Sequence, residues 1–140
     1  GHLNCYAPGK RPFHTIIPAF VTKDGKPFMS FGVMGGGMQP QGHVQVLSAL
    51  VDDGLDPQAA LDLPRFCIEV EESGGRVALE EGIPGETIVK LEKMGHPVYS
   101  VSGYERSLFG RGQVILRDPV TGVLTAGSDP RADGCAMTLA

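Results

Sequence analysis

The chain has 140 residues, which is enough for one domain with a single hydrophobic core. Hydrophobic residues make up 41% and charged residues 20%, a globular composition that excludes an intrinsically disordered protein. The net charge of -4 argues against a nucleic-acid partner, and no apolar run is long enough to cross a bilayer. We therefore expect residues 1–140 to form a single domain, or part of one, without a membrane segment.

The first elements in chain order are an irregular arm, residues 1–12, and a β-hairpin. Residues 15–22 are apolar and partly β-branched, and residues 27–33 form the returning strand. The Asp-Gly pair of the segment Lys23-Asp24-Gly25-Lys26 is typical of a two-residue hairpin turn. Pro18 cannot donate to a central ladder, so it predicts an edge strand or a bulge. Both strands are apolar on both faces, which favours a sheet covered on both sides.

Helices alternate with further strand pairs in the rest of the chain. The predicted helices are 40–53, 57–61 and 86–94, and the predicted strands are 65–70, 76–80, 112–117 and 122–126. Asp56 and Pro57 are typical N-cap and first-position residues, while Gly54 and Gly95 are typical of helix ends. Antiparallel hairpins mixed with helices predict an α+β fold, a sheet faced by helices, and not a regularly alternating βαβ domain.

A glycine corner, Gly35-Gly36-Gly37, connects the second strand to the first helix. Backbone N–H groups can approach a ligand closely there, and the helix N-terminus adds partial positive charge. Such a corner could form an oxyanion hole, which stabilises the negative charge of a tetrahedral intermediate. A tight turn without a ligand and a phosphate cradle are the alternatives, although the Gly-Lys-Ser/Thr pattern of the P-loop is absent.

Polar residues on both sides of the corner are further candidates. His43, just inside the helix, could donate to a ligand near Gly36, or it could be a satisfied, partly buried histidine. Gln39 and Gln41 are interpreted as capping or surface groups. His14, together with the following threonine, opens the strand that pairs with the corner's strand, and this position is within reach of a ligand.

The C-terminal turn Ser128-Asp129-Pro130-Arg131 contains an acidic and a basic residue two positions apart. We interpret Asp129 and Arg131 as an internal ion pair that fixes the tail, because ion-pair networks are more often structural than catalytic.

The cysteines and histidines are too widely spaced to form a known metal or disulfide pattern. The three cysteines, Cys5, Cys67 and Cys135, are expected to be buried or neutral thiols. The four histidines show no paired ligand spacing, so we expect neither a metal nor another cofactor.

Several motifs follow one another along nearly the whole chain in a recognisable order. They are Pro8-Gly9-Lys10-Arg11-Pro12, Pro18, Lys23-Asp24-Gly25-Lys26-Pro27, Gly35-Gly36, Ala60-Leu61-Asp62-Leu63-Pro64-Arg65-Phe66, Glu80-Glu81-Gly82, Gly95-His96 and Gly127-Ser128-Asp129-Pro130-Arg131. Together they resemble the gamma-glutamyltransferase (gamma-glutamyltranspeptidase) family. Residues 31–45 also resemble a bacterial branch of that family that is acylase-like.

The resemblance implies an N-terminal-nucleophile hydrolase fold, a four-layer αββα sandwich. It also implies a precursor that cleaves itself into a large and a small subunit. The freed N-terminal threonine then attacks a gamma-glutamyl amide such as glutathione, and its own α-amine serves as the base. Gly35 and Gly36 match the family's glycine pair that forms the oxyanion hole. His14 and Thr15 match the serine pair that binds the substrate's α-carboxylate, so Thr15 keeps a hydroxyl while His14 changes size and pH response.

The family's nucleophilic threonine precedes the Lys-Arg-Pro segment and matches no residue of this chain. The resemblance therefore implies only the C-terminal portion of the small subunit, and a companion large-subunit chain or a homo-oligomer is expected to cover its exposed sheet. The alternative is a non-catalytic remnant that acts as a binding or assembly module.

We predict that the 140-residue polypeptide by itself is catalytically inactive, because it provides no threonine nucleophile. A chromogenic gamma-glutamyl anilide incubated with the purified chain should release product no faster than in buffer. Turnover above that background would contradict the assignment of the nucleophile to another segment.

Overall fold

The computed structural model describes residues 1–70 and 75–138, which form two β-sheets and the helices packed on them. The strands are β1 (Ala19–Lys23), β2 (Lys26–Met34), β3 (Phe66–Glu69), β4 (Arg76–Glu80), β5 (Val98–Val101), β6 (Arg111–Arg117) and β7 (Leu124–Ser128). The helices are α1 (Met38–Val51), α2 (Pro57–Asp62), α3 (Gly85–Lys93) and a 3₁₀ helix (Gly103–Phe109). Within the described residues, no helix is both long and apolar enough to span a membrane.

The larger sheet is antiparallel and has the strand order β1-β2-β6-β7. Asp24 and Gly25 have φ angles of 52° and 71°, the left-handed values that a tight hairpin turn requires, so the predicted turn is confirmed. β1 lies at the sheet edge and carries a bulge between Val21 and Thr22, as Pro18 predicted. The predicted start of this strand at residue 15 is wrong, since pairing begins only at Ala19.

Helices α1 and α2 cover one face of this sheet. The core between them consists of the buried residues Met29, Phe31, Val33, Val46, Leu61 and Val114. On the opposite face Phe20, Ile115 and Leu124 are exposed. The prediction of a sheet covered on both sides is therefore not met by the described residues alone, which provide a layer for one face only.

The smaller sheet has the order β3-β4-β5 and contains a strand that the sequence analysis missed. β3 and β4, both predicted as strands, pair in the antiparallel direction, although residues 71–74 of their connection, which include the predicted turn residues 73 and 74, lie outside the described residues. β5 pairs with β4 in parallel after the chain has passed through α3. Its four residues alternate too briefly to give a strand signal, and a parallel partner is too distant in sequence to be predicted locally.

The helix signals that depend on local chemistry are confirmed. The Asp56 carboxylate accepts hydrogen bonds of 2.9 Å from the backbone N–H groups of both Gln58 and Ala59, which caps α2. Gly54 and Gly95 follow α1 and α3 with φ angles of 68° and 89°, values that favour glycine. The helix bounds differ from the predictions by at most two residues at either end, and the start of α2 agrees.

Helix α1 approaches β2 closely at Gly42, where a side chain would not fit. A Cβ added there would lie 2.6 Å from Cγ1 of Val33 and 3.1 Å from its Cβ, and the β-branched valine has little rotamer freedom to yield. This contact sets the distance between α1 and the sheet.

We predict that Gly42→Ala lowers the free energy of unfolding by about 1–3 kcal/mol, the usual cost of overpacking a core, although alanine is the better helix former. Gly85→Ala is the matched control, because a Cβ at the start of α3 meets nothing within 4 Å. Denaturant unfolding of both variants checks this prediction. Equal stabilities would show that α1 can move away from Val33 at no cost.

A buried cluster of charged residues joins the two sheets. Its centre is Glu80, which accepts hydrogen bonds from the side chains of Arg131 (2.5 Å and 2.7 Å) and Arg106 (2.6 Å). Asp129 binds Arg65 at 2.8 Å and Arg131 at 3.1 Å. The predicted Asp129–Arg131 ion pair is thus present, within a larger network. Glu80 and Asp129 are each only 1% exposed, so both carboxylates are almost completely removed from water, whereas the side chain of Arg106 is 30% exposed.

The hydrogen bonds keep both buried carboxylates ionised. Burial by itself would raise the pKa of Glu80, but the hydrogen bonds from Arg131 and Arg106 outweigh it and hold that pKa below its usual value. Burial opposes ionisation of Asp129 too, yet the charge of Arg65 and the N–H groups of Arg131 and Gly112 lower its pKa. Each carboxylate is therefore bound more strongly in its charged form in the folded state than in the unfolded chain.

We predict that the free energy of unfolding is constant near neutral pH and decreases as the pH falls below about 4, the ordinary carboxyl range. The sign follows from the lowered folded-state pKa values, since protons then bind preferentially to the unfolded chain. Glu80→Gln should destabilise the protein by about 3–5 kcal/mol at pH 7, because its arginine partners lose their counter-charge. Urea titrations between pH 3 and 7 measure both effects.

Glu92→Gln on the exposed surface of α3 is the control for this experiment. It should change neither the stability nor its dependence on pH. If Glu80→Gln behaved in the same way, the cluster would contribute little to the fold.

Candidate active site

The glycine corner bends the chain sharply between β2 and α1. Gly35 and Gly36 have φ angles of 146° and 58°, in the region that side chains disfavour. Their carbonyl groups point into the turn, where they accept hydrogen bonds from Met38 N (3.0 Å) and Gln39 N (3.1 Å). The N–H groups of Gly35, Gly36 and Gly37 form no hydrogen bond with any described residue. The corner therefore offers backbone donors while its acceptors are already occupied.

The corner rests on a second glycine segment at the start of β6. A Cβ at Gly35 would lie 3.1 Å from Cα of Gly110, so the two backbones touch without intervening side chains. The buried charged cluster fixes this segment from below: Arg65 Nη1 donates to the carbonyl of Phe109 (3.1 Å), and Gly112 N donates to Asp129 (2.7 Å). The position of the corner thus depends on charged residues that are distant in sequence.

His14 and Thr15 lie before β1 in a segment that is exposed throughout, residues 1–18, and we call this whole segment the arm. The arm passes near the start of α1, where Gln39 Nε2 donates to the carbonyl of Thr15 at 3.0 Å. The hydroxyl of Thr15 has no hydrogen-bond partner among the described residues and remains available to a ligand. A cavity of about 450 Å³ lies between the arm, β2 and α1, and Met34, Gln39 and His43 contribute to its walls.

His43 is a partly buried residue with one satisfied nitrogen. Its Nδ1 lies 2.6 Å from the carbonyl of Gln39, so Nδ1 carries the proton and Nε2 can accept. Nε2 is buried without a partner among the described residues, and it lies 4.0 Å from where a Cβ at Gly32 would be. The predicted satisfied, partly buried histidine therefore describes Nδ1 only, and donation to a ligand near Gly36 stays a prediction.

Gln41, which was predicted to be a capping or surface group, and Gln45 both bind the edge of a strand. Gln41 and Gln45 each use both amide atoms to pair with the edge of β3, at Ile68 (2.7 and 3.0 Å) and Phe66 (both 3.0 Å). The side-chain amides replace a missing strand, which satisfies the unpaired backbone groups of the edge. Their spacing of four residues places them on one helix face, but the sequence alone does not reveal which strand they meet.

The cysteines take no part in this site. Cys67 is buried, and burial raises the pKa of its thiol, while Cys5 and Cys135 are exposed. In the described segments, no group of three or more histidine, cysteine, aspartate or glutamate residues could hold a metal ion. The polar groups that the corner, the arm and α1 present here are backbone N–H donors, the Thr15 hydroxyl and histidine side chains.

The sequence of this chain is similar to those of known bacterial proenzymes. It is 39% identical over 139 residues to the glutathione hydrolase-like YwrD proenzyme of Bacillus subtilis, a match that covers 97% of this chain and 26% of that protein. It is 31% identical over 137 residues to the oxamate amidohydrolase proenzyme of Klebsiella pneumoniae, which covers 96% and 26%. The chain thus spans about a quarter of the length of these relatives.

The structure of this chain also superposes on solved structures of related enzymes. The crystal structure of cephalosporin acylase from Bacillus halodurans superposes with a TM-score of 0.79 at 49% identity, covering 93% of this chain and 23% of that one. The mixed α+β architecture with two sheets is accordingly part of an N-terminal-nucleophile hydrolase fold, as predicted. The sequence profile described as gamma-glutamyltranspeptidase matches residues 1–139, and the chain therefore belongs to the gamma-glutamyltranspeptidase family.

Proposed function

We propose that this chain is the C-terminal part of an enzyme that hydrolyses or transfers acyl amides, with the N–H groups of Gly35 and Gly36 as its oxyanion hole. The observation that carries the proposal is the row of backbone donors at the corner, which have no acceptor among the described residues. The carbonyls of Gly35 and Gly36 already accept hydrogen bonds, and glycine has no side chain that would block the approach of a ligand. A small anionic group can therefore reach these N–H donors.

In this proposal a threonine from the rest of the polypeptide attacks the carbonyl carbon of the amide. Its α-amine takes the hydroxyl proton, and the carbonyl π electrons move to oxygen, where the glycine N–H groups stabilise the negative charge. Collapse of the intermediate breaks the C–N bond, and the proton passes to the leaving amine. Water or an amino acid then attacks the acyl-enzyme and restores the threonine.

The names of the relatives support an amide as substrate, but they support different acyl groups. One relative is named a glutathione hydrolase-like protein, another an oxamate amidohydrolase and a third a cephalosporin acylase. We propose that a gamma-glutamyl or related acyl group binds beside the arm, where His14 and the hydroxyl of Thr15 are exposed. A hydroxyl and an imidazole can both donate to a carboxylate on the acyl chain.

The exposed apolar face of the larger sheet also needs a cover in the intact enzyme. Phe20, Ile115 and Leu124 would otherwise stay exposed to water on this face. We propose that a companion large-subunit chain or a second copy of this chain provides that cover, in keeping with a two-sheet sandwich.

We predict that Gly36→Ala in the intact enzyme lowers kcat at least tenfold. Alanine disfavours the left-handed φ of 58°, so the peptide carrying the Gly36 N–H should rotate, and loss of one oxyanion donor costs about 10²–10³ in kcat in other enzymes. Steady-state hydrolysis of a gamma-glutamyl anilide, and of a short acyl amide for comparison, provides the measurement.

Gly25→Ala is the matched control, since Gly25 also has a left-handed φ, 71°, and space for a Cβ. It should show a similar loss of stability with an unchanged kcat. An unchanged kcat in Gly36→Ala would remove this glycine from the oxyanion hole.

A further inference from the structure

We infer that Gln39 is a positioning residue that fixes the arm carrying Thr15 to the glycine corner. The inference rests on the proposed function, in which the corner and Thr15 contact the same substrate. Gln39 itself need not touch the substrate, because it acts through the two elements that do.

Three hydrogen bonds of Gln39 connect the parts of the site. Its side-chain Nε2 donates to the carbonyl of Thr15 at 3.0 Å. Its backbone N–H donates to the carbonyl of Gly36 at 3.1 Å, and its own carbonyl lies 2.6 Å from Nδ1 of His43. One residue at the start of α1 thus joins the arm, the corner and the helix.

The side-chain bond is important because the arm has little else to hold it. Residues 1–18 are exposed throughout, and regular strand pairing begins only at Ala19. Between residues 1–17 and the rest of the described chain, the bond from Gln39 to Thr15 is the one hydrogen bond formed. Without it, Thr15 would be free to take many positions relative to the corner, and binding would have to restrict them.

The bond also leaves the functional part of Thr15 free. Gln39 binds the backbone carbonyl, whereas the hydroxyl has no partner among the described residues. The arm is therefore held in place while its side-chain donor stays available. His43 supports the arrangement, because its ring contacts Phe31 with centroids 5.2 Å apart and so anchors its bond to Gln39 in the core.

The neighbouring glutamines allow a positioning role to be separated from a general stabilising one. Gln41 lies on the same helix and uses its amide in the same way, but its partner is Ile68 of β3 and not the arm. Loss of either amide removes hydrogen bonds from the same end of α1. Only loss of the Gln39 amide frees Thr15.

The test uses the intact, matured enzyme with Gln39→Met, a variant of similar shape that lacks the donor. We expect the KM for a gamma-glutamyl anilide to rise about 3- to 10-fold, the equivalent of one neutral hydrogen bond, with kcat within twofold of wild type. Gln39→Lys restores a donor at this position and should return KM towards the wild-type value. Gln41→Met should leave KM unchanged even if it lowers the melting temperature.

A double-mutant cycle shows whether Gln39 acts through Thr15. Thr15→Ala should itself raise KM, and adding Gln39→Met to it should raise KM little further, because the hydroxyl that Gln39 positions is already absent. Fully additive effects, or an unchanged KM in Gln39→Met, would overturn the inference while leaving the proposed function intact. A wild-type enzyme that cleaves no acyl amide would instead refute the proposed function.

Discussion

The buried cluster of Arg65, Glu80, Asp129 and Arg131 is the interaction on which the rest of this structure depends. These charges are inaccessible to water, so each must find its partner within the protein. They come from three separate parts of the chain, since Asp129 and Arg131 share one turn, and their pairing fixes the end of α2, both sheets and that final turn relative to one another. The same residues bind the segment 109–112, which supports the glycine corner. The buried charged cluster thereby determines the position of the backbone N–H groups at the glycine corner.

Helix α1 connects the packed sheets to the candidate site. Gly42 brings the helix against β2, Gln41 and Gln45 pair with the edge of β3, and Gln39 reaches the arm. The helix therefore contacts β2, β3 and the arm at the same time. The residues that make these contacts all lie within four positions of His43. Gln41 and Gln45 bind the edge of β3, whereas Gln39 binds the arm.

The two faces of the larger sheet differ in how far the described residues cover them. One face is packed by α1 and α2, whereas the other exposes aromatic and aliphatic side chains. Two facing sheets in an αββα sandwich would bury such a surface. The apolar pattern on both faces of β1 and β2 thus supports the proposal that another chain covers this sheet, and the matched relatives are about four times as long as this chain.

The sequence by itself determined the features that depend on neighbouring residues: the Asp24-Gly25 turn, the Asp56 cap, the glycine corner and the family motifs. Their physics is local, since backbone angles, capping and turn chemistry need no distant partner. Only the tertiary structure decided that β5 joins β4 in parallel, that Glu80 is the centre of a charged cluster, and that Gln39 binds Thr15. These contacts join residues 20 to 50 positions apart, and the same residue types are usually solvated on a surface, so their spacing carries no signal until the chain has folded.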